Sequence, residues 1–254
     1  MRNAMDAITL RDLEYLESLH GKLTRVFARI DEEGGREGIP IVGTSVGRAL
    51  HVLVRATGAR TVVEVGTAIG YSALWMATAL PADGRLDTID PDRSRTDRAR
   101  RFWDEAGVGA KIVVHSGKGL VVLPALAGPY DFAFIDALKT ESEDYLAAVL
   151  RLLRPGGTVA VDNLLWGGRA SGAREDDRTA ETSAVRAFNA KFVTHPQLDA
   201  TILPVGDGLG IGVKKAQAAH LGRKAHQSAD ALDESVFGER LDEPRHATIA
   251  ELAL

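Results

Sequence analysis

Cysteine is absent from the 254 residues of this chain. Disulfide bonds, thiolate metal sites and a thiol nucleophile are therefore excluded. The sequence also lacks an apolar run of the roughly 20 residues that a membrane-spanning helix needs, and its first residues are charged rather than signal-like. We therefore expect a cytoplasmic protein that has no membrane partner.

The chain also lacks an excess of positive charge. Its 31 Lys and Arg residues are outnumbered by 35 Asp and Glu residues, which gives a formal net charge of −4. Such a surface offers no overall attraction to nucleic acid phosphates or anionic lipids, so a nucleic acid partner is not expected. A composition of 45% hydrophobic and 26% charged residues is typical of a globular domain.

Short β-branched runs alternate with helical segments through the middle of the chain. Strands are predicted at residues 61–65, 86–89, 112–114, 132–135 and 158–161, and helices at 72–80, 94–106, 120–126, 144–153 and 182–192. This alternation predicts an α/β fold with a doubly wound, Rossmann-like sheet, mostly parallel, with helices on both faces. Two last strands, at 200–204 and 209–213, predict an antiparallel C-terminal hairpin because Asp207-Gly208 is a strong hairpin signal.

The N-terminal part has a different pattern. Over residues 6–30, leucines and other apolar residues recur at helical spacing, which predicts one amphipathic helix that ends near Gly34-Gly35. Residues 36–41 are then expected to form a loop. We expect Thr44-Ser45 to cap a second helix that runs to about residue 57.

Oxygen-bearing side chains follow two neighbouring strands of the predicted sheet. Asp136 ends one strand, and Asp162 and Asn163 end the next. An unpaired carboxylate inside a buried sheet would be very costly, so these residues fit strand ends better than strand centres. Each alone is common turn chemistry, but together, with Lys139 nearby, they predict a metal site. Ligands that are all oxygen favour Mg²⁺, or Mn²⁺ or Ca²⁺, over Zn²⁺ and copper.

The first predicted strand runs into a turn, Gly66-Thr67-Ala68-Ile69-Gly70. In a doubly wound sheet this turn lies against an adenosine-bearing cofactor, and glycine allows the close approach. The spacing is not the G-x-G-x-x-G that surrounds a pyrophosphate, which argues against NAD or FAD. Asp90 ends the second strand, where an acid binds ribose hydroxyls. The combination favours S-adenosylmethionine, although Glu64 or Asp90 alone would more often be a cap or an ion-pair residue.

Several ordered segments together resemble one enzyme family. They are EVGTAIGYSALWMATALP, TIDPD, SGKG, FIDALK, LLRPGG, VDNLLWGGR, VRAFN and LPVGDGLGI, and they cover roughly residues 39–215. In order and spacing they are similar to the cation-dependent small-molecule O-methyltransferases, the family of the caffeoyl-CoA and catechol enzymes. The resemblance implies a Rossmann-like methyltransferase fold that uses S-adenosylmethionine and a divalent metal.

The resemblance also implies roles for individual residues. The implied cofactor-binding residues are Val42, Glu64, Gly66, Ser72, Asp90, Gly117, Lys118 and Asp136. The implied metal ligands are Asp136, Asp162 and Asn163. Lys139 matches a lysine proposed as general base, and it can equally remain charged and stabilise the oxyanion. Trp166 either stacks on the acceptor ring or packs, and Asp207 either faces the acceptor or only forms the hairpin turn.

Methyl transfer to a hydroxyl explains why these residue types occur together. An aromatic hydroxyl has a pKa near 10, whereas two adjacent hydroxyls that chelate a divalent ion lose a proton far more easily. We therefore expect an enzyme of secondary metabolism that methylates a small catechol-type or vicinal-oxygen acceptor. Leu138 and Ser142 replace the Asp and Tyr that are frequent in the family, which leaves the acceptor open.

Residues 1–215 are predicted to form the methyltransferase domain, in which residues 1–58 supply helices that cover the acceptor site. Residues 216–254 form an extension of unknown role, because their composition shifts to Ala, His and charged residues. Related enzymes are commonly dimers, and the apolar face of residues 6–30 suits a homodimer.

Three alternatives stay open. Some relatives methylate a hydroxyl on a modified tRNA uridine, but the net charge and the lack of a basic stripe argue against this substrate. A second alternative is a hydroxyacyl group bound to a carrier protein. A third is a non-catalytic or NAD-binding Rossmann protein, against which the joint presence of Asp136, Lys139, Asp162 and Asn163 argues.

Overall fold

A seven-stranded sheet forms the centre of the computed structural model, which describes residues 8–216. The strands are β1 (Thr61–Val65), β2 (Arg85–Asp90), β3 (Ile112–Ser116), β4 (Tyr130–Ile135), β5 (Leu153–Val161), β6 (Leu198–Leu203) and β7 (Leu209–Lys214). Their order is β3-β2-β1-β4-β5-β7-β6. Strands β1 to β5 run parallel, and β7 is antiparallel to both β5 and β6. The predicted parallel sheet with its antiparallel hairpin is confirmed.

Helices cover both faces of this sheet, as predicted. In residues 8–216 they are α1 (Leu10–Ser18), α2 (Arg25–Glu37), α3 (Thr44–Ala56), α4 (Tyr71–Ala79), α5 (Arg93–Glu105), α6 (Gly119–Val122), α7 (Ser142–Leu152) and α8 (Ala180–Val193). Helices α2 to α5 share one hydrophobic core with the sheet, and α7 and α8 share a second core on the other side. None of the helices in this part of the chain is both long and apolar enough to cross a bilayer.

The single helix predicted over residues 6–30 is wrong for the described part of that range. The chain forms two helices, α1 and α2, separated by residues 19–24. Gly21 lies in this break and is a poor helix former, and Thr24 has extended backbone angles as the N-cap of α2. Helix α1 buries none of its residues, and the apolar cover comes from α2.

The predicted end of this helical region at Gly34-Gly35 is also wrong. Helix α2 continues to Glu37 and ends at Gly38, whose backbone is left-handed with φ +63°. Gly34 stays helical because it packs closely on Ile41: a Cβ at this position would lie 2.8 Å from Ile41 Cδ1. Gly34 thus serves packing, and neither Gly34 nor Gly35 ends the helix.

Two predicted helix boundaries also need correction. Helix α3 begins at Thr44 itself, with Gly43 as an N-cap that has no side chain, so Thr44-Ser45 does not cap it. The helix predicted at 120–126 is a short α6 followed by a 3-10 turn that contains Pro124. Residues 1–7 and most of the predicted C-terminal extension lie outside the described residues.

The strand order places a crevice between β1 and β4. The chain leaves these neighbouring strands in opposite directions, toward β2 and toward β5, and ligands of doubly wound sheets bind at such a point. Backbone hydrogen bonds continue just past the strand ends: Asp136 N–H donates to the Val65 carbonyl at 2.9 Å, and Asp162 N–H to the Ile135 carbonyl at 3.1 Å. The ends of β1, β4 and β5 are therefore fixed relative to each other.

Candidate active site

A cavity of about 530 Å³ opens at the carboxyl ends of the parallel strands. Most of the residues predicted from the sequence line it, namely Val42, Gly66, Ser72, Asp90, Lys118, Asp136, Lys139, Asn163 and Trp166. Glu64, Gly117, Asp162 and Asp207 lie outside its lining. The structure therefore brings most of the predicted cofactor and metal residues together around one cavity, and the others lie outside its lining.

The turn after β1 requires glycine at its first position. Gly66 has φ +102°, and a Cβ there would lie 1.9 Å from the carbonyl oxygen of Asp136. No side chain fits between these two strand ends. Ala68, two residues on, also has a positive φ of 45°, so the whole turn departs from ordinary backbone conformations.

Asp90 holds this turn in shape. One of its carboxylate oxygens accepts the backbone N–H of Thr67 at 3.1 Å and of Ala68 at 2.9 Å, and the other accepts the N–H of Asp92 at 2.8 Å. The Asp90 carbonyl accepts the N–H of Gly117 at 3.1 Å. Asp90 therefore connects the glycine turn to the segment that carries Lys118, and it still lines the cavity.

Glu64 lies behind the cavity wall and is completely buried. Ser72 and Thr88 donate hydroxyl hydrogen bonds of 2.5 and 2.6 Å to its two oxygens. Burial raises the pKa of Glu64 to about 7, although both hydrogen bonds act in the opposite direction. Through this contact Glu64 orients Ser72, whose side chain does line the cavity.

The predicted metal ligands meet where β4 and β5 end. Asp162 is buried, and its Oδ1 has no hydrogen-bond partner within residues 8–216. Burial and the neighbouring charge of Asp136 raise the pKa of Asp162 to about 7. A buried carboxylate oxygen without a donor is costly, and a bound cation would satisfy it. Asp136, Asp162 and Asn163 therefore fit a hard divalent ion.

The composition of this trio limits what it can bind. Within the described residues there is no group of three or more His, Cys, Asp and Glu side chains that could hold a metal ion. The third predicted ligand is instead an amide, that of Asn163, whose backbone is left-handed with φ +64°. So few protein ligands suit Mg²⁺, which keeps several positions for water or substrate oxygens.

Lys139 lies directly beside the trio. Its Nζ donates to Asp136 Oδ1 at 2.9 Å and to the Asp162 carbonyl at 3.4 Å, and the side chain is only 9% exposed. A short 3-10 turn, Lys139–Glu141, positions it after β4. The structure thus places one cation between the two strand ends and facing the cavity.

Asp207 holds the loop that carries Trp166. Its Oδ1 accepts the N–H of Gly167 at 2.7 Å, and its carbonyl accepts the N–H of Leu165 at 2.8 Å. Trp166 lines the cavity with a left-handed backbone, φ +51°. Asp207 itself does not line the cavity, so its contacts match the alternative of a turn residue rather than a group facing the acceptor.

Sequence reasoning missed several residues of the cavity wall. Tyr71, Glu141, Tyr145 and Glu181 all line it. Glu181 lies in the first turn of α8, which packs against the Lys139–Glu141 turn. Its only sequence signal was an acid near a helix N-terminus, which the helix dipole already explains.

Comparison with known proteins agrees with this geometry. A family model described as O-methyltransferase matches residues 28–215. The chain is 35% identical over 189 residues to a catechol O-methyltransferase of Niastella koreensis, and the match covers 70% of this chain and 85% of that protein.

Solved structures have the same fold. The O-methyltransferase TomG of Streptomyces achromogenes, involved in tomaymycin synthesis and in complex with S-adenosylmethionine, is 33% identical with a TM-score of 0.72, covering 80% of this chain and 95% of that one. An O-methyltransferase of Bacillus cereus in complex with S-adenosylhomocysteine is 27% identical with a TM-score of 0.71, covering 80% and 96%.

Proposed function

The chain belongs to the O-methyltransferase family, and we propose that it methylates a hydroxyl of a small catechol-type acceptor. S-adenosylmethionine is the proposed methyl donor, and Mg²⁺, or Mn²⁺ or Ca²⁺, is the proposed metal. One observation supports the metal above all: the buried Oδ1 of Asp162, beside Asp136 and Lys139, has no hydrogen-bond partner among residues 8–216.

The proposed donor site lies at the β1 and β2 side of the cavity. The glycine turn at Gly66 leaves room for close backbone approach, and Asp90 and Ser72 offer oxygens for ribose and methionine groups. Val42 and Lys118 line the same cavity. The donor and product bound in the relatives from Streptomyces achromogenes and Bacillus cereus support this assignment.

The proposed acceptor site lies at the β4 and β5 side. Asp136, Asp162 and Asn163 would hold the metal ion, which lowers the pKa of adjacent hydroxyls when it is bound. Lys139 Nζ, next to Asp136, would take up the hydroxyl proton or stabilise the oxyanion by its charge. Leu138 and Trp166 add apolar surface for a ring.

The N-terminal segment is part of the proposed acceptor site. Pro40, Ile41 and Val42, which connect α2 to α3, line the cavity. This supports the proposal that the N-terminal helices cover the acceptor. The exposed leucines of α1, with Leu10 79% and Leu16 51% exposed, support the proposed homodimer.

A methyl-transfer assay tests the proposal. The purified protein is freed of metal with EDTA and incubated with S-adenosylmethionine and catechol, with and without added Mg²⁺, and the product is detected by mass spectrometry. We expect monomethylated catechol only when the metal is restored. Absence of product with Mg²⁺ would refute the function, and equal rates in EDTA would refute the metal dependence.

A further inference from the structure

The charged side chains that line the cavity differ in whether they are already paired. Lys139 pairs with Asp136, Asp90 accepts backbone N–H groups, Arg95 pairs with Asp92 at 3.3 Å, and Glu141 accepts the hydroxyl of Tyr145. Within residues 8–216, Lys118 and Glu181 line the cavity without a hydrogen-bond or ion-pair partner. These two side chains are available to a ligand.

Lys118 and Glu181 lie at opposite ends of the cavity. Lys118 follows β3, which lies at the edge of the sheet on the β2 side. Glu181 belongs to α8, which packs against β6 and against the turn after β4. Because β3 and β4 are three strand spacings apart, the two ends of the cavity are separated by about 14 Å across the sheet. Glu181 is therefore on the side of the proposed acceptor.

Among the charged side chains that line this end of the cavity in residues 8–216, Glu181 is an unpaired anion, and no unpaired cation lies with it. Lys139, which lies in the turn that α8 packs against, is 9% exposed and bound to Asp136. Leu138, 63% exposed, and Trp166 supply apolar surface to the wall of the same cavity. A substituent that reaches past the ring therefore meets a carboxylate, which attracts a cation and repels an anion.

We propose that Glu181 determines acceptor specificity by selecting acceptors with a protonated amine on the side of the ring away from the reacting hydroxyls. The inference rests on the proposed function and specifies in addition that the preferred acceptor carries a positive charge. Glu181 is solvent-exposed, so an ion pair with it has the modest strength of surface pairs. We therefore expect about a two- to fivefold preference in kcat/KM over a neutral acceptor.

Three catechols that differ only in one ring substituent test this inference. The substituents are ethyl, aminoethyl and carboxyethyl, and kcat/KM is measured for each with S-adenosylmethionine and Mg²⁺. The wild-type protein should prefer aminoethyl over ethyl and ethyl over carboxyethyl. In Glu181→Gln the aminoethyl-to-ethyl ratio should fall to about one, and in Glu181→Lys the order of the charged acceptors should reverse. These fold-changes follow from loss or reversal of one charge.

A matched control removes an acid elsewhere. Glu32 is exposed on α2 and does not line the cavity, so Glu32→Gln should keep the wild-type ratios. If Glu181→Gln keeps them too, or if the wild-type protein prefers the carboxyethyl acceptor, the specificity inference fails while methyl transfer stands. If the wild-type protein methylates none of the three, the proposed function fails and the inference with it.

Discussion

Asp162 combines a structural cost with a chemical use. Its buried carboxylate lies near the charge of Asp136, and one of its oxygens has no donor in the described part of the chain. Families retain such strained polar groups when a ligand compensates for them. The Asp162 side chain thus lowers the stability of the metal-free fold while it serves the proposed metal site.

Replacing Asp162 should reveal this conflict. In metal-free protein, Asp162→Asn removes a buried charge and leaves the shape of the side chain almost unchanged. The melting temperature should therefore rise by about 2–4 °C. Differential scanning calorimetry in EDTA measures the change. Asp199→Asn, at an exposed position, serves as control and should shift the temperature little. A lower melting temperature for Asp162→Asn would contradict the reading of Asp162 as strained.

Lys139 should affect the chemical step rather than cofactor binding. Lys139→Ala should lower kcat by at least about 100-fold, because it removes a proton acceptor or an oxyanion partner. The affinity for S-adenosylmethionine, measured by calorimetry, should change less than about threefold. Lys191→Ala, on the exposed face of α8, is the matched control. Unchanged turnover and an unchanged pH profile in Lys139→Ala would exclude both roles.

The turn after β1 is the element on which the cofactor site depends. Gly66→Ala would drive a Cβ against the Asp136 carbonyl at a left-handed φ, and should destabilise the fold by about 2–4 kcal/mol. Urea unfolding measures this loss. Gly35→Ala, exposed within α2 and with open space around it, should instead be neutral or slightly stabilising. Equal stability of the two variants would show that the turn tolerates a side chain.

A carboxylate at the opposite edge of the sheet joins the beginnings of β1 and β4. Asp131 accepts the N–H groups of Arg60 and Thr61 at 2.8 and 2.9 Å and the Nε–H of Arg154 at 2.7 Å. Partial burial alone would raise its pKa, but these donors prevail and lower the pKa to about 2.

Asp131 should therefore make stability sensitive to acid. Its pKa in the folded protein is below the ordinary value of 3.8, so ionised Asp131 stabilises the fold at neutral pH by at most about 2 kcal/mol. This stabilisation is lost as the pH falls from about 4 to 2. In urea unfolding, the loss of unfolding free energy caused by Asp131→Asn should be larger at about pH 7 than at about pH 3. A loss that does not depend on pH would contradict this.

The helices and strands were predictable where the sequence pattern matches the burial of the segment in the fold. The five parallel strands could be placed because buried β-branched runs alternate with helices. The helix predicted over 6–30 failed because the apolar spacing continues through a break at Gly21. The role of Gly34 was predicted wrongly because this glycine allows close packing on Ile41. The local sequence around Gly34 does not reveal that contact.

At the scale of the whole molecule, the candidate site was predictable only in part. Residues that follow strands, such as Asp136 and Asp162, must meet because neighbouring parallel strands end at one edge. Glu181 could not be predicted in this way, because it reaches the cavity from α8, through packing of that helix on the turn after β4. Acceptor specificity depends on such contacts, whereas the chemistry depends on strand order.

A calorimetric titration decides whether the ends of β4 and β5 hold the metal ion. Mg²⁺ is titrated into the wild-type protein and into Asp162→Asn, each saturated with S-adenosylmethionine and catechol. We predict saturable binding of one Mg²⁺ by the wild-type protein and an affinity at least about tenfold lower in the variant. Absence of binding to the wild-type protein, or equal affinity in both proteins, would contradict a metal-dependent methyltransferase.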